Sequence, residues 1–126
     1  MVLSDPLLAG RAPIGAHRGG LFRIGAVEHR GSLMILSRGV FAWPVADDAS
    51  AVNEATLAPV LDEGPAAGFL LLGTGATQVF PPRPLREAFA KAGIGLEAMD
   101  TGAACRTYNV LLAEGRIFAA ALIALP

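Results

Sequence analysis

Gly68-Phe69-Leu70-Leu71-Leu72-Gly73-Thr74-Gly75 decides the fold. A continuous apolar run bounded by glycines is the pattern of a strand buried on both faces. A sheet has both faces buried when helices cover it. The residues downstream supply those helices. Pro81, Pro82 and Pro84 introduce a helical stretch over 85–92, with Leu85, Ala88 and Phe89 on one face and Gly93 as its C-terminal glycine. Residues 94–99 read as the next strand. Asp100 is an N-cap for a helix over 102–113, Gly115 follows that helix, and 116–125 reads as the last strand. Strands alternating with helices argue a mixed or parallel sheet with helices packed on it, so the class is α/β (α+β).

Upstream, the elements are shorter. Phe22, Ile24 and Val27 form a short strand, Glu28-His29-Arg30-Gly31 reads as a polar break, and 32–36 (SLMIL) reads as a second strand, giving a hairpin. Residues 39–45 (GVFAWPV) are extended, and Pro44 puts them at an edge or outside the sheet. In 47–63 a short helix is expected. Asn53 is its candidate N-cap, unless the helix begins late enough to hold Pro59 in its first turn. Residues 1–18 read as a lead segment, either loosely ordered or lying over the core through Leu7, Leu8 and Ile14. Residues 19–126 read as one globular domain.

Composition excludes several classes of function. Lys and Arg total 10 against 11 Asp and Glu, a net charge of −1, which provides no electrostatic footprint for nucleic acid. One cysteine cannot form an internal disulfide, so a stapled secreted scaffold is excluded. At 53% hydrophobic the chain is too apolar for disorder. Mean hydropathy is high, +0.51, yet the longest apolar run, 117–125, stops at Pro126, well short of the roughly 20 residues of a spanning helix. Asp5 stands where a signal peptide carries positive charge. A cytoplasmic protein without a membrane span is expected.

Two stretches carry candidate chemistry. Gly73-Thr74-Gly75 ends the buried strand, where α/β sheets gather ligands and where glycines let backbone N–H groups converge on an anion. The plainer reading is a strand exit that needs positive φ. The second stretch runs from Asp100, Thr101 and Gly102 through Cys105 and Arg106 to Tyr108 and Asn109, at another strand-to-helix junction. Asp100 as base and Cys105 as nucleophile, its pKa lowered by the helix N-terminus and Arg106, is one reading. The other is that Asp100 caps the helix and that Cys105, Tyr108 and Leu112 form a stripe facing the core, with Arg106 and Asn109 on another face. His17 and His29 lack partners at ligand spacing, so no metal site and no cofactor are expected. Trp43, beside Phe41, is either an interface anchor or a core aromatic.

FLLLGTGA over 69–76, Phe80-Pro81-Pro82, GIGLEAMDTGAACRTYNVLLAEGR over 93–116 and the earlier GVFAWP over 39–44 together resemble a family of small single-domain proteins of bacteria and archaea. In animals that family includes a mitochondrial complex I assembly factor and an adipogenesis-associated protein. The resemblance implies a three-layer β+α/β/α fold around a central mixed five-stranded sheet with one strand antiparallel. It brings no established reaction. Its signature positions fall on Gly73, Thr74, Gly75, Asp100, Thr101, Gly102, Cys105, Tyr108 and Asn109.

Two functions follow as expectations. One is a non-enzymatic interaction or assembly module linked to respiratory-complex biogenesis. Its partners are other proteins, at the inner membrane for the mitochondrial member, and Phe41 and Trp43 are its candidate partner surface. The other is a binder or enzyme for a small anionic ligand, held in a cleft between 73–75 and 100–109 with Arg106 as counter-charge. Monomer and homo-oligomer both remain open.

Overall fold

The computed structural model describes residues Met1–Pro126. Its strands are β1 (Leu8–Ala9), β2 (Ile14–Ala16), β3 (Leu21–Ile24), β4 (Val27–Arg30), β5 (Ser32–Leu36), β6 (Gly39–Trp43), β7 (Phe69–Gly73), β8 (Gly95–Met99) and β9 (Ala119–Leu122). Its α-helices are α1 (Ala58–Leu61), α2 (Arg83–Ala92) and α3 (Thr101–Ala113). The main sheet has the order β1-β6-β5-β9-β7-β8, and β2-β3-β4 make a second, three-stranded sheet. β7 is parallel to both β8 and β9, while β5 is antiparallel to β9 and to β6. Among the five principal strands β5 therefore runs alone against the rest, as the resemblance implies. The sheet has six strands rather than five because the two-residue β1 adds antiparallel to β6, through Leu8↔Val40 and Ala9↔Gly39.

The central strands β5, β7 and β9 are apolar apart from Ser32, whose hydroxyl oxygen accepts from Ala124 N–H at 2.9 Å, because both faces are covered. One face carries Met34, Leu36, Leu70, Leu72, Ala119 and Ala121 beneath α1 and α2, with Leu85 and Phe89 of α2 packed on them. The other carries Leu33, Ile35, Leu71, Ala120 and Leu122 beneath α3 and the small sheet, with Cys105 and Tyr108 of α3 and Phe22 and Ile24 of β3. Successive residues of one strand thus feed two cores, as the period-2 alternation of a strand requires.

Helix limits follow local chemistry. Asp100 caps α3 by accepting from the Ala103 N–H at 2.9 Å. Gly93 ends α2 in the left-handed conformation at φ 74°. α1 begins late, with Pro59 in its first turn. Asn53 instead closes a turn with Thr56, its Oδ1 accepting from Thr56 N–H at 3.0 Å, so it does not cap α1.

The hairpin is a second correction. Its turn lies at Gly25-Ala26, with Gly25 at φ 57°, and Glu28, His29 and Arg30 belong to β4 rather than to a break. Their polarity belongs to a sheet with one wet face: Val27 and His29 are half-buried, Glu28 and Arg30 exposed. Residues 1–18 contribute β1 and β2. Arg11 fixes the stretch between these strands, its guanidinium donating to the carbonyls of Leu36 and Phe118 and lying 4.9 Å from the Phe118 ring centroid.

Candidate functional site

Parallel pairing of β7 with β8 brings both candidate stretches to one edge of the sheet, where Gly73 lies opposite Met99. There the polar groups are spent on each other. The Gly75 N–H donates to Thr101 Oγ1 at 2.9 Å, and that hydroxyl donates to the Ile123 carbonyl at 2.7 Å. Thr101 N–H donates to the Gly75 carbonyl at 2.8 Å, and Ile123 N–H to the Gly73 carbonyl at 2.9 Å. Thr101 is completely buried. A buried hydroxyl with both its donor and acceptor roles filled is a structural tie between the ends of β7 and β9 and the start of α3. Glycine at 73 leaves room for this tie: a Cβ there would sit 3.0 Å from Thr101 Oγ1 and 3.1 Å from Leu122 Cδ2, so the neighbours would have to give by a few tenths of an ångström. Gly75 holds φ 98°, where only glycine is at ease. Thr74 N–H donates to the Met99 carbonyl at 2.9 Å, and its hydroxyl donates to the Thr77 carbonyl at 2.6 Å and accepts from Val79 N–H at 3.0 Å. The amides of Thr74 and Gly75 are therefore not free to hold an anion.

The α3 residues divide in the same way. Burial pushes the Cys105 thiol up to about 12, outweighing the nearby Arg106, so the thiol stays protonated at neutral pH. Tyr108 is completely buried, donates to the Ala12 carbonyl at 2.9 Å and stacks edge-on with Phe118. Asn109 brackets Ile14: its Oδ1 accepts from Ile14 N–H at 2.8 Å and its Nδ2 donates to the Ile14 carbonyl at 2.9 Å. Tyr108 clamps the stretch before β2, and Asn109 the start of β2 itself, onto α3.

The family model for Protein of unknown function (DUF498/DUF598) matches residues 14–123. The chain belongs to this family. An uncharacterised protein of Rhodobacter capsulatus is 37% identical over 126 residues, covering 100% of this chain and 95% of that protein. NADH dehydrogenase [ubiquinone] 1 alpha subcomplex assembly factor 3 of Danio rerio is 35% identical over 97 residues, covering 76% of this chain and 55% of that protein. The matched region thus spans about half the length of that animal relative. Among solved structures, an outer membrane protein from Bartonella henselae superposes with TM-score 0.86 at 36% identity, covering 94% of this chain and 99% of that one. No helix of the present chain is long and apolar enough to cross a membrane.

What this DUF498/DUF598 domain leaves open lies just outside the tied junction. A cleft of 380 Å³ is lined by His17, Arg18, Ala76, Asp100, Gly102 and Arg106, with Leu125 and Pro126. Neither Arg18 nor Arg106 is in an ion pair. Burial first, then the charges of Arg18 and Arg106, lower the pKa of His17 from its usual value. Of the expected site residues, only Asp100, Gly102 and Arg106 line it. The expected partner surface is corrected: Phe41 and Trp43 are buried at 4% and 1% exposure, and Trp43 Nε1 donates to the Thr56 carbonyl at 2.9 Å. The exposed aromatic is Phe80, at 82%, with Val79 beside it and Pro81 and Pro82 after it. The one local signal that sets Phe80 apart from a core residue is its place in a non-periodic stretch that runs into Pro81 and Pro82.

Proposed function

We propose that this domain is a non-enzymatic interaction module serving the assembly of a respiratory NADH dehydrogenase, with Phe80 as its apolar anchor. The reading is carried by kinship: 35% identity over 97 residues to a protein whose name is that of an assembly factor. Two features of the chain support it. The distinctive residues Thr74, Gly75, Thr101, Tyr108 and Asn109 are engaged in ties of the fold, which leaves the surface to carry the function. An aromatic side chain held out of the core, on a stretch stiffened by two prolines, loses little freedom when a partner buries it.

The test is genetic and structural together. In a host that carries both this gene and a respiratory NADH dehydrogenase, deleting the gene lowers the amount of assembled enzyme on native gels. The Phe80→Ala chain fails to restore it while its folding stability stays within about 0.5 kcal/mol of the parent. An unchanged level of assembled enzyme after deletion overturns the assembly reading.

The unpaired Arg18 and Arg106 favour a second reading, a small anion in the cleft beside Asp100. Inorganic phosphate would then shift the amide resonances of Gly102 and Arg106 in the parent chain but not in Arg106→Ala. The absence of any phosphate-dependent shift in the parent removes it.

A further inference from the structure

β8 ends the main sheet and pairs only with β7. Its hydrogen-bonding groups can be assigned from the ladder. The Gly95 N–H donates to the Gly68 carbonyl at 3.2 Å, and the Met99 carbonyl accepts from Thr74 N–H at 2.9 Å, so Gly95, Glu97 and Met99 face β7. All peptides are trans, and a trans peptide points its C=O opposite to the N–H that follows. Over 94–98 the groups facing outward are therefore the Ile94 carbonyl, both backbone groups of Leu96, and both of Ala98; by the same rule the Asp100 N–H, just past the strand, also turns outward. One of these is occupied: Gln78 Nε2 donates to the Ala98 carbonyl at 2.8 Å. The Ile94 N–H is also spoken for, donating to the Phe89 carbonyl at 3.0 Å at the end of α2.

From this pattern we propose that β8 pairs with β8 of a second copy of this chain, antiparallel, about a two-fold axis at Leu96. In that register Leu96 faces the partner subunit's Leu96, and each donates its N–H to the other's carbonyl. Ala98 N–H donates to the carbonyl of Ile94 of the partner subunit, and the reciprocal bond forms on the other side of the axis. The ladder positions that would be left over, the Ala98 carbonyl and the Ile94 N–H, are the two already satisfied within each copy. Within 94–98, free donors and acceptors thus match one for one across the two-fold axis, as an isologous contact demands.

The neighbouring register is disfavoured. An axis at Glu97 would set the two Glu97 carboxylates directly opposite each other, and like charges facing across a ladder repel. It would also call on the Ala98 carbonyl that Gln78 holds. With the axis at Leu96, the exposed Glu97 lies across from Gly95 of the partner subunit, which has no side chain to meet it. An extended segment of another protein would meet the same free groups, but nothing in the pattern requires such a segment to be symmetric. The inference stands apart from the assembly reading, because it uses the β8 edge and not Phe80.

Sedimentation equilibrium of the purified full chain across a concentration series tests it. The expected mass is twice 12.9 kDa, with the Leu96 and Ala98 amides slow to exchange with deuterium. Ala98→Pro removes one outward donor and sets a ring on the free edge while sparing every bond to β7, so its expected mass falls to 12.9 kDa. Circular dichroism reports whether that variant folds; if it does not, the exchange of the Leu96 and Ala98 amides in the parent chain decides alone. A parent chain that stays monomeric, a dimer whose Leu96 and Ala98 amides exchange freely, or a folded Ala98→Pro variant that remains dimeric each overturns the proposal.

Discussion

Two adjoining regions at one end of the sheet use their polar groups in opposite ways. At the 73–75 and 100–101 junction, the hydroxyl of Thr101 joins Gly75 to Ile123, and the amides face inward. A few residues away, the outer edge of β8 and the 78–80 stretch leave backbone groups and the Phe80 ring facing solvent. The lesson is about where function can reside. A turn whose donors are all matched internally has nothing left to offer a ligand, however distinctive its sequence. Residues without a motif keep their bonding capacity and are the ones able to recognise a partner.

Thr101→Val is the most severe way to break that contrast. It keeps the shape but leaves the Gly75 N–H and the Ile123 carbonyl buried without partners. Each orphaned group costs about 1–3 kcal/mol, so a loss of about 2–6 kcal/mol is expected in urea unfolding. Thr101→Ser retains the hydroxyl and removes one methyl, for about 1 kcal/mol. Equal losses for the two variants would show that packing, and not the hydrogen-bonded tie, holds the junction.

Asn109→Ala ranks next. It removes both bonds to Ile14 in a half-buried setting, with an expected loss of about 1–2 kcal/mol. The clamp reading makes a local claim as well: the Ile14 amide exchanges faster than the amides of β7. Faster exchange in β7 to the same degree would mean that Asn109 supports the whole domain and not the β2 segment.

The legibility of the sequence follows the same division. The run at 68–72, the cap at Asp100 and the stop at Gly93 are local patterns, and each is found in place. The Thr101 tie spans 26 residues to Gly75 and 22 to Ile123, and no local pattern encodes which distant amide a threonine will meet. β4 was hidden because a strand with one solvated face is as polar as a turn. Trp43, which local sequence leaves as either an interface anchor or a core aromatic, and Phe80, which it does not place at all, are undecided for a related reason. Local sequence shows that a residue is apolar, but the fold determines which apolar residues are covered. The Trp43 ring is enclosed and its N–H satisfied by Thr56, whereas Phe80 lies past the end of β7, where no layer covers it.

The mildest prediction asks how far the sealed region reaches along α3. Cys105 and Tyr108 are acids whose folded-state pKa values are raised by burial, each to about 12, from 9.0 and 10.0. The folded chain therefore holds protons that the unfolded chain has released once the pH passes 9. By linkage, the stability these groups contribute is fully present below pH 9 and declines as pH rises toward 12. Unfolding midpoints are expected to be flat with respect to these two groups through neutrality and to fall above pH 9. Cys105→Ala should blunt the first part of that fall, while Tyr108→Phe should blunt the part above pH 10. At pH 8 the native thiol should resist a disulfide reagent and react only on unfolding, since the reagent needs a thiolate and a path to it. A Cys105 that reacts rapidly in the native chain at pH 8 would move the boundary between the sealed and open regions to the first turn of α3. Arg106 and the cleft would then have a reactive group beside them, and the small-ligand reading would gain over the assembly one.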